Sequence, residues 1–130
     1  MEYTTLGRTE LKVSVAGLGC GGFSRLGLNT GGTEASAIAI IHAALDQGVN
    51  LLDTAAPYDT ECVVGKAIRS VPRDRVVITT KSSVIRGGER WTPDRVVASL
   101  DNSLRELGID CITCSSSMRC RRLATIMCAT

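Results

Sequence analysis

Apolar positions along this chain alternate between two periods. A two-residue period covers residues 3–6 and 11–15, and Gly7-Arg8-Thr9-Glu10 between them supplies a turn. A hairpin is therefore expected to open the chain. A short strand over 13–18 leads into Gly19-Cys20-Gly21-Gly22, and a glycine-rich loop follows to Gly32. The period then becomes helical. Ala37, Ile40, Ile41, Ala44 and Leu45 share one face of a helix over 34–47. Thr33 suits its N-cap, and Gly48 suits the residue after its end. Residues 49–52 read as a short buried strand ending at Asp53. A helix over 61–69 turns Val64, Ala67 and Ile68 inward, and Pro72 with Asp74 marks the next turn. The run 75–80 is a strand ending at Lys81. After a loop over 82–91, Thr92 caps a third helix with Pro93 at its first position. Val96, Val97, Leu100, Leu104 and Leu107 form its apolar stripe, and Gly108 ends it. Strands alternating with helices predict an α/β fold with a parallel sheet.

The pattern stops near residue 112. Ile109-Asp110-Cys111-Ile112 begins like a fourth strand, but Thr113-Cys114-Ser115-Ser116-Ser117 is not apolar enough to be buried. Composition divides the chain at the same point. Residues 1–112 carry 12 basic and 13 acidic side chains, a net charge of −1, while 113–130 add only Arg119, Arg121 and Arg122. The body is thus near neutral and offers no electrostatic surface for nucleic acid. Of six cysteines, four (Cys111, Cys114, Cys120 and Cys128) fall after residue 110. We expect 1–112 to be the folded part and 113–130 to be a Cys/Arg-rich tail without a stable place. Aromatics make up only 3% of the 130 residues, so the core must be aliphatic. No apolar run approaches the ~18 residues of a membrane span. The N-terminus shows no basic stretch followed by an apolar core. Those features predict a cytoplasmic protein with free thiols.

Three places carry candidate chemistry. Gly17-Leu18-Gly19-Cys20-Gly21-Gly22 matches G-x-G-x-x-G after a strand. A dinucleotide fold needs a helix to open there and hold phosphate, yet ten residues intervene before Thr33. A flexible loop after the first strand therefore accounts for the glycines better, and a small dinucleotide-binding module remains the weaker alternative. Cys111-x-x-Cys114 lacks a second pair at metal-site spacing, so no metal is expected.

The third place is richer. Asp53 ends one strand, Tyr58 follows five residues on, and Lys81 ends the next strand. All three are expected at the carboxyl ends of adjacent parallel strands, where barrel enzymes place their chemistry. Each alone has an ordinary explanation: a turn cap, a packed loop aromatic, a solvated strand end. Together they form a proton relay. A tyrosine is a poor acid, with a pKa of about 10. A neighbouring ammonium favours its ionised form, and a carboxylate keeps that ammonium charged and oriented.

Asp53-Thr54-Ala55 with Tyr58, Glu61 and Gly65, and Val77-Ile78-Thr79-Thr80-Lys81, resemble the aldo/keto reductases. So do Leu6-Gly7, Leu11, Val13-Ser14, Gly17-Leu18-Gly19 and the stretch from Ser99-Leu100 to Asp110. The resemblance covers about residues 3 to 112. It implies a (β/α)8 barrel, here as the hairpin, three β/α units and the start of a fourth strand. It implies NADP(H) as cofactor, and an aldehyde or ketone as substrate. Tyr58 would protonate the carbonyl oxygen, with Lys81 and Asp53 tuning it. Gly19, Cys20, Gly21 and Asp53 would lie at the cofactor. The family also places a histidine at the end of its fourth strand, but the sole histidine here, His42, lies in the first helix. A frame or splice change near residue 112 would produce such an ending. The alternative function is therefore a truncated, inactive fragment that self-associates through its open edge.

Overall fold

The computed structural model describes the backbone of residues 1–117 and 125–128, and the side chains of residues 1–112 except Arg86. Strands β1 (Tyr3–Thr5) and β2 (Lys12–Ser14) pair antiparallel as the expected hairpin. The sheet strand that follows, β3 (Leu18–Gly19), is only two residues long. The run expected as one strand over 13–18 is therefore divided. Ser14 Oγ donates to Ala16 O at 2.7 Å, closing a turn that separates hairpin from sheet.

Helix α1 (Glu34–Asp46) begins at a reciprocal cap, in which Ser36 N donates to Thr33 Oγ1 and Thr33 N donates to Ser36 Oγ. Strand β4 (Leu51–Asp53) and helix α2 (Glu61–Ile68) follow. Strand β5 (Val77–Ser82) leads through two short strands, β6 (Ile85–Arg86) and β7 (Glu89–Arg90), that pair with each other. Helix α3 (Pro93–Leu107) has Thr92 as its cap and ends at Gly108 with φ +65°. Strands β8 (Cys111–Ser117) and β9 (Thr125–Cys128) complete the described chain.

The main sheet runs β3-β4-β5-β8-β9, parallel up to β8 and antiparallel at β9. The helices cover one face. Ile41, Leu52, Val64, Ala67, Ile78 and Leu107 are buried between the two layers, an aliphatic core as expected. Strand alternation puts Ile78 and Thr80 toward the helices and Thr79 and Lys81 on the opposite face. No described helix is long and apolar enough to cross a membrane.

Three expectations need correction. First, Ile40 and Val97 belong to the expected stripes yet are exposed. Among the described residues α1 and α3 are the outer members of a three-helix layer, flanking α2 on its two sides. A stripe wide enough for two neighbours then leaves an apolar side chain in solvent. Second, β8 continues through Ser117, five residues beyond the expected break. Its ladder with β5 sets Lys81 opposite Ser116, and a ladder needs only backbone donors and acceptors. Of the expected tail, 113–117 and 125–128 run as strand, and the rest lies outside the described residues. Third, Cys20 and Cys62 are free thiols, but Cys111 is disulfide-bonded. The return of β9 sets the Cys111 backbone opposite that of Cys128, which distance in sequence could not show. The side chains of Cys114, Cys120 and Cys128 lie outside the described set.

Candidate active site

Parallel pairing places Asp53 beside Gly19 on one side and Thr79 on the other. Asp53 therefore stands at the carboxyl end of the sheet's first three strands. Lys81, two residues beyond Thr79, reaches back across the same face. Its Nζ donates to Asp53 Oδ1 at 2.5 Å and to Thr54 O at 3.1 Å. Thr79 Oγ1 donates to the same carboxylate oxygen at 2.6 Å. The lysine side chain is 22% exposed and the aspartate 44%, so the pair is half-buried and opens toward solvent. Its geometry is fixed by three hydrogen bonds, which matters more here than its contribution to stability.

Tyr58 ends a single 3-10 turn, Ala56–Tyr58, with Pro57 inside it. Asp59 follows in the left-handed region at φ +53°. That reversal directs the chain into α2 and leaves the Tyr58 ring over the strand ends. The Lys81 ammonium lies 5.5 Å from the ring centroid, within cation–π range. Asp53, Tyr58 and Lys81 are thus brought together at one end of the sheet.

The glycine-rich loop closes the other side. Cys20 N donates to Asp53 O at 2.8 Å, carrying the backbone past the aspartate. A Cβ built on Gly21 would overlap the Tyr58 ring, so this glycine lets the ring rest on bare backbone. Gly19 has open space where its side chain would be. Arg25 Nη1 pairs with Asp59 Oδ2 at 3.0 Å and links this loop to the tyrosine turn. Both of its ends are solvated, so it orients more than it stabilises.

Cys20 differs from its expected role. Its side chain is fully buried in the core, so only its backbone faces the site. Burial, with Asp53 next, pushes its thiol pKa up to about 12, against a smaller opposing effect of Lys81. The thiol is neutral and inert at ordinary pH. Alkylation by iodoacetamide at about pH 8, read by peptide mapping, should modify exposed Cys62 and spare Cys20 until denaturant is added. Equal labelling of the two thiols in the folded chain would contradict this packing.

His42 Nε2 bonds to Ala67 O at 2.8 Å and joins α1 to α2, away from the site. Sequence reasoning missed one contributor. Thr79 is the second donor to Asp53, and the two-residue period of β5 could have placed it beside Lys81. Gly21 was expected at the cofactor, but nothing in its neighbours announced the Tyr58 ring above it.

The sequence model of the aldo/keto reductase family matches residues 17–116. The chain belongs to the aldo/keto reductase family. It is 39% identical over 124 residues to the aldo-keto reductase YhdN of Bacillus subtilis, covering 86% of this chain and 36% of YhdN. Among solved structures, aldo-keto reductase AKR11C1 from Bacillus halodurans, in its holo form, superposes with a TM-score of 0.70 at 31% identity. That match covers 90% of this chain and 40% of AKR11C1. The thermostable aldo-keto reductase Tm1743, solved with the inhibitor epalrestat, gives a TM-score of 0.75 at 27% identity, over 88% of this chain and 42% of that one. The aldo/keto reductase chain described here therefore spans well under half the length of these relatives. Its fold is the hairpin and first β/α units of a (β/α)8 barrel.

Proposed function

We propose that Asp53, Tyr58 and Lys81 form the proton relay of an NADP(H)-dependent aldo/keto reductase that converts an aldehyde or ketone to an alcohol. The observation that carries this reading is the 2.5 Å Lys81–Asp53 pair beneath the Tyr58 ring. Asp53 holds the Lys81 ammonium in place beside the Tyr58 ring. The Tyr58 hydroxyl proton passes to the carbonyl oxygen as the C=O bond opens.

The residues present fit the nicotinamide end of such a cofactor. Gly19 leaves open space beside the half-exposed carboxylate, and Gly21 holds the ring back without a side chain. Gly19, Gly21, the Cys20 backbone and Asp53 would hold it. NADP(H) supplies the hydride for the carbonyl carbon when bound. The second reading, a catalytically silent fragment, is favoured by the 36–42% coverage of the relatives. Such a fragment would self-associate through the open edge of its sheet at β3.

A chimera tests the relay. Residues 17–116 replace the matching part of YhdN, and NADPH-dependent reduction of an activated aromatic aldehyde is measured. Turnover is expected, and Tyr58→Phe should lower kcat by about 10²–10⁴, the usual worth of a positioned general acid. An active chimera in which Tyr58→Phe is as fast as its parent would remove Tyr58 from the mechanism.

A further inference from the structure

The signature segment contains an acid that the proton relay does not use. Glu61 opens α2, three residues after Tyr58. An acid in a first helical turn is ordinarily a solvated partner of the helix dipole. Here the residue is 4% exposed. Glu61 Oε1 accepts from Thr80 Oγ1 at 2.6 Å, a fully buried bond from α2 to β5. Ser103 of α3, whose Oγ donates to Ser99 O at 3.2 Å, has its hydroxyl near this carboxyl. Burial raises the Glu61 pKa most, the Thr80 and Ser103 hydroxyls oppose that, and Glu106 of α3 adds to it. Burying a carboxyl costs free energy that an apolar side chain of similar size would not incur.

The cost has a geometric return. Thr80 stands between Thr79 and Lys81, the two residues that hold Asp53. Thr80 points to the helices and its neighbours to the site, so a grip on Thr80 fixes both through the backbone. On the other side of Glu61, the segment bearing Tyr58 is tied end to end. Thr54 Oγ1 and Thr60 Oγ1 share a buried hydrogen bond of 3.1 Å. The tyrosine segment meets the lysine strand at its near end through Thr54, whose N donates to Thr79 O at 2.9 Å and whose O accepts from Lys81 Nζ, and at its far end through the buried Glu61–Thr80 bond.

We propose that Glu61 is a positioning residue that sets Tyr58 against Lys81 by clamping the start of α2 to β5 through Thr80. It touches neither substrate nor cofactor. Its functional meaning rests on the proton relay proposed above, while its geometric effect does not.

The test uses the 130-residue chain and needs no activity. The sequence has three lysines and two tyrosines, so Lys12→Arg, Lys66→Arg and Tyr3→Phe suffice to identify the Lys81 and Tyr58 signals by NMR. A nuclear Overhauser cross-peak is expected between the Lys81 methylenes and the Tyr58 ring. Glu61→Ala should lose it. Glu61→Gln should keep it, because the amide oxygen still accepts from Thr80 and the amide nitrogen can donate to Ser103. Ile41→Val, a core change on α1 away from the site, should also keep it. The clamp is refuted if folded Glu61→Ala retains the cross-peak, or if Ile41→Val loses it equally. Should Glu61→Ala not fold, Thr80→Val removes the hydroxyl at nearly constant volume and should lose the cross-peak. Its retention there refutes the clamp as well. Failure of the relay would appear as an active Tyr58→Phe chimera and would leave the cross-peaks unchanged, so the two failures are distinguishable.

Discussion

Purified as the 130-residue chain, the protein is expected to leave NADPH unconsumed in the presence of an activated aromatic aldehyde. The relay residues are in place, with Lys81 Nζ on Asp53 and the Tyr58 ring beside it. Proton donation is the smaller part of the barrier. Holding the reacting carbon against the hydride can supply ~7–11 kcal/mol, whereas a positioned acid supplies about 10²–10⁴ in rate. At ~1.36 kcal/mol per tenfold, loss of that positioning removes about five to eight powers of ten. The chain's contribution to positioning is confined to the carboxyl ends of β3, β4 and β5 and the loop through Gly19 and Gly21. In the family resemblance, the groups that grip the cofactor's phosphates come from later strands, and these residues match only 36% of YhdN. The measurement is NADPH absorbance at high enzyme concentration. Clear turnover that vanishes in Tyr58→Phe would overturn the expectation. It would mean that chains associate to complete a site.

Substitution of Gly65 by alanine should be the most damaging single-methyl change in the helix layer. In an exposed helix, Gly→Ala gains about 1 kcal/mol of helix propensity. At Gly65 the added Cβ would sit 2.6 Å from Leu107 O and 2.7 Å from Glu106 O. Both are backbone oxygens at the end of α3, so no side chain can turn aside. Either α2 withdraws from α3 or the last turn of α3 deforms, and overpacking of this kind costs about 1–3 kcal/mol. Leu107 and Val64, both buried, would lose contacts in either case. Sterics therefore outweigh propensity. We expect net destabilisation of up to about 2 kcal/mol, and a fall of several degrees in Tm. Urea denaturation should show a lower midpoint with an unchanged slope. A variant as stable as the parent would show that α2 and α3 are not in such close contact.

Much of this fold was legible because local chemistry marks it. Thr33 and Thr92 cap their helices, Gly48 and Gly108 end them, and the periods between are unambiguous. The candidate cluster was legible because Asp53 and Lys81 are of chemically loaded types at strand ends and Tyr58 follows one of them by five residues. Glu61 was visible only as a signature letter. Its burial depends on Thr80, 19 residues away. Gly21 was expected at the cofactor, but its contact with the ring of Tyr58, 37 residues later, was not.

What the sequence determined by itself was the alternation of the opening hairpin, the parallel strands and the three helices, though not β6, β7 or β9, together with the aliphatic core and the three residues offered for chemistry. These follow from periods, caps and side-chain types, each read within a few residues. The tertiary structure alone decided which surfaces those elements keep. It exposed Ile40 and Val97 at the flanks of the helix layer, carried β8 to Ser117, and linked Cys111 in a disulfide. It also buried Cys20 beneath the loop expected to present it. Each of these outcomes depends on neighbours distant in sequence. Burial, backbone pairing and close approach are properties of pairs of elements, and one element's sequence does not contain its partner.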